Sequence, residues 1–141
     1  LKMKSYDTAL DLARTLQRDY SRHPPVTSLL AQAEVAAGNP KAALTLLKQT
    51  RISMENWPTL LQLKADAAQR AGLLGVSHES LAEYYYYQGN LRLTLEHVKL
   101  ALRAPDISSV MKRRLEQNQQ DLEELQKKQR KQKSQTDSSG R

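Results

Sequence analysis

Three glycines, Gly38, Gly72 and Gly89, most constrain what this 141-residue chain can fold into. Each closes a stretch of apolar residues with helical spacing, and they stand 34 and then 17 residues apart. A glycine at a fixed point between two helices supplies the positive-φ backbone that a tight turn requires. The spacing therefore predicts helix pairs that repeat along the chain, with a slip of one helix in the register after Gly72.

The composition favours closely packed helices. Apolar residues make up 39% of the chain but aromatic residues only 5%, and phenylalanine is absent, so leucine and alanine must form the core. This balance favours helices over strands, and the length fits one domain. Cysteine is also absent, which excludes disulfides, a thiol nucleophile and a thiolate metal site. We therefore expect an all-α fold.

The net charge of +7 is concentrated near the C-terminus, where residues 110–141 hold nine basic and five acidic groups. A basic stripe on a structured face would indicate nucleic-acid binding, whereas a lysine-rich terminus is more often solvated. We expect the solvated terminus and no nucleic-acid partner. Nucleic-acid binding through Arg113, Arg114 and the basic run 127–133 is the less favoured interpretation.

No apolar stretch approaches the roughly 20 residues that span a bilayer, and no signal peptide precedes the repeats. The sequence starts at Leu1 within a helical pattern, so we expect a piece of a longer protein. Any targeting signal would then lie outside the chain.

Apolar periodicity divides the chain into helices separated by turn residues. Asn39, Asn56 and Ser77 are predicted helix caps, and residues 21–25 are predicted to separate the first helix from the second. The predicted organisation is tetratricopeptide-like repeats over 1–105, a capping helix over 106–131 and a disordered basic and polar tail over 132–141. The predicted helices cover about 5–20, 26–37, 40–52, 58–71, 77–88, 90–104 and 107–131.

Small and apolar residues around the glycine turns resemble the signature of tetratricopeptide repeats. Leu30, Ala31, Ala43 and Leu47 fall on signature positions around Gly38. Small side chains at such places let helix backbones approach closely. The resemblance implies an antiparallel helix-pair solenoid with a long C-terminal capping helix. The expected repeat-packing residues are Ala31, Gly38, Ala43, Ala65, Gly72, Ala82 and Gly89.

A longer resemblance covers about residues 6–125. The runs Trp57-Pro-x-Leu60-Leu61 and Tyr87-Gln-Gly-Asn-Leu91 are similar to the C-terminal repeat domain of periplasmic M48-family zinc metalloproteases of the β-barrel assembly-enhancing type. The resemblance implies a periplasmic location and a role in outer-membrane protein quality control. It implies as partners the protein's own protease domain and protein clients, among them outer-membrane β-barrel proteins or their assembly machinery.

The catalytic zinc motif of that family, His-Glu-x-x-His, is not completed here. His78-Glu79 copies its first two residues, but Ala82 stands where the second histidine would be, and alanine cannot ligate zinc. We expect this chain to be no enzyme and to hold no metal or cofactor, with zinc bound only in the full-length protein. His23, His78 and His97 are predicted to be surface or packing residues.

Four consecutive tyrosines, 84–87, occupy positions that spread round most of a helix, so they cannot all be core. Tyr85 takes a signature packing position, and Tyr84 is expected to share burial with Leu81. Tyr86 and Tyr87 are candidates for the surface that binds a partner, unless neighbouring helices cover them. The predicted groove residues are Ser28, Gln32, Val35, Thr59, Gln62, Asp66, Gln69, Arg70, Tyr86 and Tyr87.

The last helix carries a narrow apolar seam at Met111, Leu115, Asn118, Leu122 and Leu125. Covering the exposed end of the solenoid is its expected role, and dimerisation with a second copy is the competing one. The sequence as a whole thus favours a non-catalytic protein-binding module of a periplasmic zinc metalloprotease. A stand-alone tetratricopeptide scaffold unrelated to proteolysis is the alternative.

Overall fold

The fold is all-α, as the sequence predicted, in a computed structural model that describes residues 8, 10–12, 14, 15, 24–49 and 58–139. His23, Asn56 and Trp57 lie outside these residues. The first helix, α1, is described at positions 8, 10–12, 14 and 15. The others are α2 (Pro24–Ala36), α3 (Pro40–Gln49), α4 (Pro58–Arg70), α5 (Leu74–Tyr87), α6 (Leu91–Leu102) and α7 (Ser109–Ser139).

Helices that follow one another in the chain pack against one another from α2 to α7, and α2 also contacts α4. The buried side chains form two main clusters. One joins α2, α3 and α4 around Leu47 and Leu60, and the other joins α5, α6 and α7 around Val98 and Leu115. Val76 of α5 packs against both clusters and so connects the two halves of the core.

The three spaced glycines end α2, α4 and α5 in the same way. Gly38, Gly72 and Gly89 have φ of 86°, 79° and 74°, and nothing stands within 4 Å of the Cβ that a larger residue would carry. These positions therefore require glycine for its backbone conformation and not for space. The residue after each glycine donates its N–H to a carbonyl five residues back: Asn39 to Glu34 at 2.8 Å, Leu73 to Ala68 at 2.8 Å and Asn90 to Tyr85 at 2.9 Å.

Prolines begin three of the helices. Pro40 and Pro58 open α3 and α4, as the sequence predicted. The predicted break over residues 21–25 extends too far along the chain, because α2 already begins at Pro24 and its first turn contains Pro24 and Pro25. Proline is compatible with that position because the N–H groups of a first turn have no helical acceptor.

The start of α5 also differs from the prediction. Ser77 does not cap this helix, which begins at Leu74 after Leu73. The Ser77 side chain is buried within α5 instead, and its Oγ donates to the backbone carbonyl of Ala65 in α4 at 2.8 Å. At the N-terminus of α5 the acceptor is a carboxylate from the loop after α6, because the Gly75 N–H donates to Asp106 Oδ1 at 2.8 Å.

Alanine occupies several of the most buried positions of the helices. Ala31 and Ala43 are completely buried in the first cluster, and Ala82 is buried in the second. Ala65 is buried as well, next to the hydrogen bond from Ser77. These four are positions where the repeat signature predicted small packing residues.

The C-terminal helix is longer than the sequence predicted. α7 runs past the expected end at Lys131 to Ser139, into the segment for which disorder was predicted. Residues 127–137 are exposed, and the abundance of lysine, glutamine and arginine there gives a high intrinsic helix propensity. Even this helix is too polar to cross a bilayer, and the same holds for every other described helix on grounds of length or composition.

Candidate protein-binding groove

An open groove lies between α5 and α7, with α6 beneath it. Both outer helices pack against α6, and the cavity between them has a volume of about 520 Å³. Its floor consists of small and apolar side chains that are themselves buried, most of them in the second core cluster. These floor residues are Ala82, Thr94, Val98, Leu115 and Leu122.

The rim of the groove is mostly acidic. At one end Glu79 of α5 is bound by Arg114 of α7, whose Nη2 and Nε lie 2.6 and 3.1 Å from Glu79 Oε2. Glu83 and Asp121 also line the groove, and neither forms a salt bridge to another described residue. The groove therefore carries more negative than positive charge, in a chain with a net charge of +7.

The four tyrosines divide between packing and exposure. Tyr84 and Tyr85 are half-buried, whereas Tyr86 is 55% exposed and Tyr87 is 38% exposed. Tyr86 lines the groove, and its ring meets the ring of Tyr87 edge-on with centroids 5.7 Å apart. The structure thus places one of the two tyrosines predicted to bind a partner in the wall of the groove.

A second side-chain cluster joins α5 to α6. The ring of His97 lies between those of His78 and Tyr85, with centroids 5.3 and 5.4 Å away. His78 Nδ1 and His97 Nδ1 are 3.1 Å apart, much less than the ring centroids. At this distance one Nδ1 can donate a hydrogen bond to the other when one ring carries its hydrogen on Nδ1 and the other does not.

Burial lowers the pKa of the His97 imidazole below its ordinary value, the neighbouring His78 lowers it further, and Glu96 opposes this shift. The pairing of the two histidines was not expected from the sequence, because they are 19 residues apart and lie on different helices. Among the described residues, no three metal-ligating side chains come together.

The predicted groove residues of α2 and α4 lie elsewhere on the molecule. Gln32, Thr59, Gln62, Gln69 and Arg70 are exposed, and Ser28, Val35 and Asp66 are half-buried. None of them lines the groove between α5 and α7. Several of these side chains are paired within their own helix. Gln32 donates to Ser28 Oγ at 3.2 Å, and Arg70 Nε lies 3.1 Å from Asp66 Oδ2.

Sequence reasoning missed the contribution of α7 to the groove. Arg114, Asn118 and Asp121 line it. In the sequence Asn118 stood out as the polar member of the apolar seam, and Arg114 stood out only as part of the less favoured nucleic-acid interpretation. Met111, Leu115 and Leu122 of that seam are buried against α5 and α6. The seam is thus largely used within the chain, which leaves little of it for pairing with a second copy.

No family model, no curated protein and no solved structure matches this chain.

Proposed function

We propose that this chain is a non-catalytic protein-binding module that holds a segment of a partner polypeptide in the groove between α5 and α7. The observation that carries the proposal is the combination of an open cavity, a floor of buried apolar side chains and an exposed aromatic residue, Tyr86, at its wall. Exposed tyrosines give rigid contact area at a low entropic cost and are common at the centres of interfaces.

The arrangement of the helices supports a tetratricopeptide-like organisation. Gly38, Gly72 and Gly89 end three helices with one hydrogen-bond pattern, and consecutive helices pack against one another. In repeat proteins of this class each helix pair covers its neighbour, and partners bind along the surface that the helices create. α7 acts as the capping helix because it covers the apolar face of α6.

We further propose, from the family resemblance, that the full-length protein is a periplasmic zinc metalloprotease and that this module recruits its substrates or the outer-membrane assembly machinery. Zinc-dependent proteolysis would then take place in another domain, and this module would bind the substrate or the assembly machinery. Finding an upstream His-Glu-x-x-His motif in the complete reading frame would support this proposal. A complete frame without the motif would leave the stand-alone scaffold.

The test of the binding function is a selection from a random dodecapeptide library on the immobilised chain. Asn118→Trp fills the groove from the exposed face of α7, and Gln120→Trp adds the same bulk to the same helix outside the groove. Selected peptides should bind Asn118→Trp at least about tenfold more weakly than the parent chain and Gln120→Trp almost equally. Equal binding to all three proteins would contradict a role for the groove.

A further inference from the structure

Tyr86, Glu83 and Asp121 bring one aromatic ring and two carboxylates to the groove between α5 and α7. Tyr86 and Glu83 are neighbours on one face of α5, and Asp121 stands on α7 across the groove. The contacts that the structure gives these carboxylates come from neutral donors. Tyr87 Oη lies 3.5 Å from Glu83 Oε1, and Gln117 Nε2 donates to Asp121 Oδ1 at 3.0 Å.

The charge of these groups has no counterpart within the groove. Arg114 is the cation among the lining residues, and it is bound to Glu79 at the end of the cavity. The remaining carboxylates, Glu83 and Asp121, lie beside an apolar floor without a cation from the other lining residues. A partner that brings positive charge to this place would gain electrostatic energy that a neutral partner would not.

The floor and the wall of the groove indicate which kind of cationic side chain would fit. Lysine and arginine side chains bury their aliphatic stems along apolar surface while the charged end reaches polar groups. Ala82, Val98 and Leu122 offer such a surface, and the face of Tyr86 attracts a cation through its ring quadrupole. Acidic segments would meet repulsion from the same carboxylates.

We propose that the groove is a binding site for an arginine or lysine side chain of the partner polypeptide. The stem lies on the apolar floor, the charged end lies between Glu83 and Asp121, and the ring of Tyr86 covers it. This inference rests on the proposed binding function and adds the chemical class of the segment that is bound: a cationic one with apolar neighbours.

The experiment uses three fluorescein-labelled dodecapeptides, four repeats of Ala-Leu-Arg, of Ala-Leu-Gln and of Ala-Leu-Glu, with affinity measured by fluorescence anisotropy. The net charge of +7 repels a cationic peptide from the protein as a whole, so tighter binding of the arginine peptide reports a local site. We expect it to bind at least about tenfold more tightly than the glutamine peptide, a preference that shrinks with added salt.

Two double variants locate the site. Glu83→Gln with Asp121→Asn removes the carboxylates of the groove, and Glu116→Gln with Asp137→Asn removes the same charge from exposed positions of α7 outside it. Only the first should abolish the preference for arginine. Tyr86→Leu keeps an apolar wall and should weaken binding of the arginine peptide several-fold, with little change for the glutamine peptide.

Equal binding of the arginine and glutamine peptides, or a preference that survives loss of both carboxylates, would overturn the cationic site and leave the binding function standing. Binding of library-selected peptides without any binding of the arginine peptide would have the same meaning. If neither the library nor the three peptides yields a ligand, both the cationic site and the proposed function are overturned.

Discussion

The Asp106 carboxylate accepts a hydrogen bond from the backbone N–H of Gly75 at 2.8 Å, although 31 residues separate them. Gly75 lies in the first turn of α5, where N–H groups have no helical acceptor and a negative charge is favoured. Asp106 lies in the turn between α6 and α7. One side chain thus fixes both the start of α5 and the path of the chain into α7, which form opposite walls of the groove.

Replacing Asp106 by alanine should lower the free energy of unfolding by about 1 to 2 kcal/mol, because it removes the acceptor and the charge at the N-terminus of α5. Asp137→Ala, at an exposed position of α7, is the matched control and should have almost no effect. Urea denaturation followed by circular dichroism measures both. Equal midpoints for the two variants would refute the capping role.

Gly75→Ala should also destabilise the protein, for a steric reason. A Cβ at this position would stand 2.5 Å from Ile107 Cγ2, so we expect a cost of about 1 to 3 kcal/mol. In an Ile107→Ala background the cost should fall, and a double-mutant cycle measures the difference. By contrast, Gly89→Ala meets nothing within 4 Å, and its cost of about 1 kcal/mol comes from the left-handed backbone alone.

The hydrogen bond from Ser77 to the Ala65 carbonyl links α5 to α4, so Ser77→Ala should cost about 1 kcal/mol of unfolding free energy. Ser80→Ala is the control, because Ser80 is equally buried but donates to Val76 within its own helix. The Val76 carbonyl already accepts a backbone hydrogen bond within α5, so loss of the Ser80 hydroxyl should lower the free energy of unfolding less than loss of the Ser77 hydroxyl does. A larger loss in Ser80→Ala would show that the contact between helices is unimportant.

Acid should weaken the contact between α5 and α6. The pKa of His97 is lowered in the folded state, so this histidine binds a proton more readily in the unfolded chain than in the folded one. The stability that neutral His97 gives the folded chain is therefore complete above about pH 6.5, the pKa of histidine in the unfolded chain. It is lost as pH falls through the lower pKa of the folded chain. A charge on His97 would also lie beside the ring of His78, whose Nδ1 is 3.1 Å from that of His97.

Chemical denaturation at several pH values between 5 and 7.5 tests this coupling. The parent chain should lose stability toward pH 5, and His97→Asn, which cannot take up the proton, should show a smaller slope over the same range. Tyr85 and Glu96, the other groups beside His97, are unchanged in the variant. Identical slopes would exclude His97 as a source of the pH dependence.

Local signals in the sequence predicted the local structure well. Gly38, Gly72 and Gly89 indicated where helices end because a positive φ is a property of single residues. Asn90 was correctly placed at the start of α6, where its side chain accepts from the Leu93 N–H at 3.0 Å. The predicted cap at Ser77 was wrong because a buried contact with another helix decides its position, and no local pattern reports such a contact.

Relationships between distant segments could not be read from the sequence. Gly75 did not belong to the spaced set of glycines. Among the described glycines it is the one at which an added Cβ would meet other atoms, those of Asp106 and Ile107 in the loop after α6. The groove likewise depends on α7 crossing α6 next to α5, which brings Asp121 near residues about 40 positions earlier in the chain. Helical periodicity gives the faces of each helix but not which neighbour covers them.

Val76 is the one side chain that packs against both main core clusters of the described residues. Cooperative unfolding needs the two halves of a domain to lose their structure together, and that requires interactions that cross between them. Around this residue α4 and α5 pack against each other more extensively than the helices within the first half do, and the hydrogen bond from Ser77 to the Ala65 carbonyl crosses the same boundary. Opening of α2–α4 would therefore expose the face of α5 that carries Val76, so we expect the two halves to unfold together as one unit.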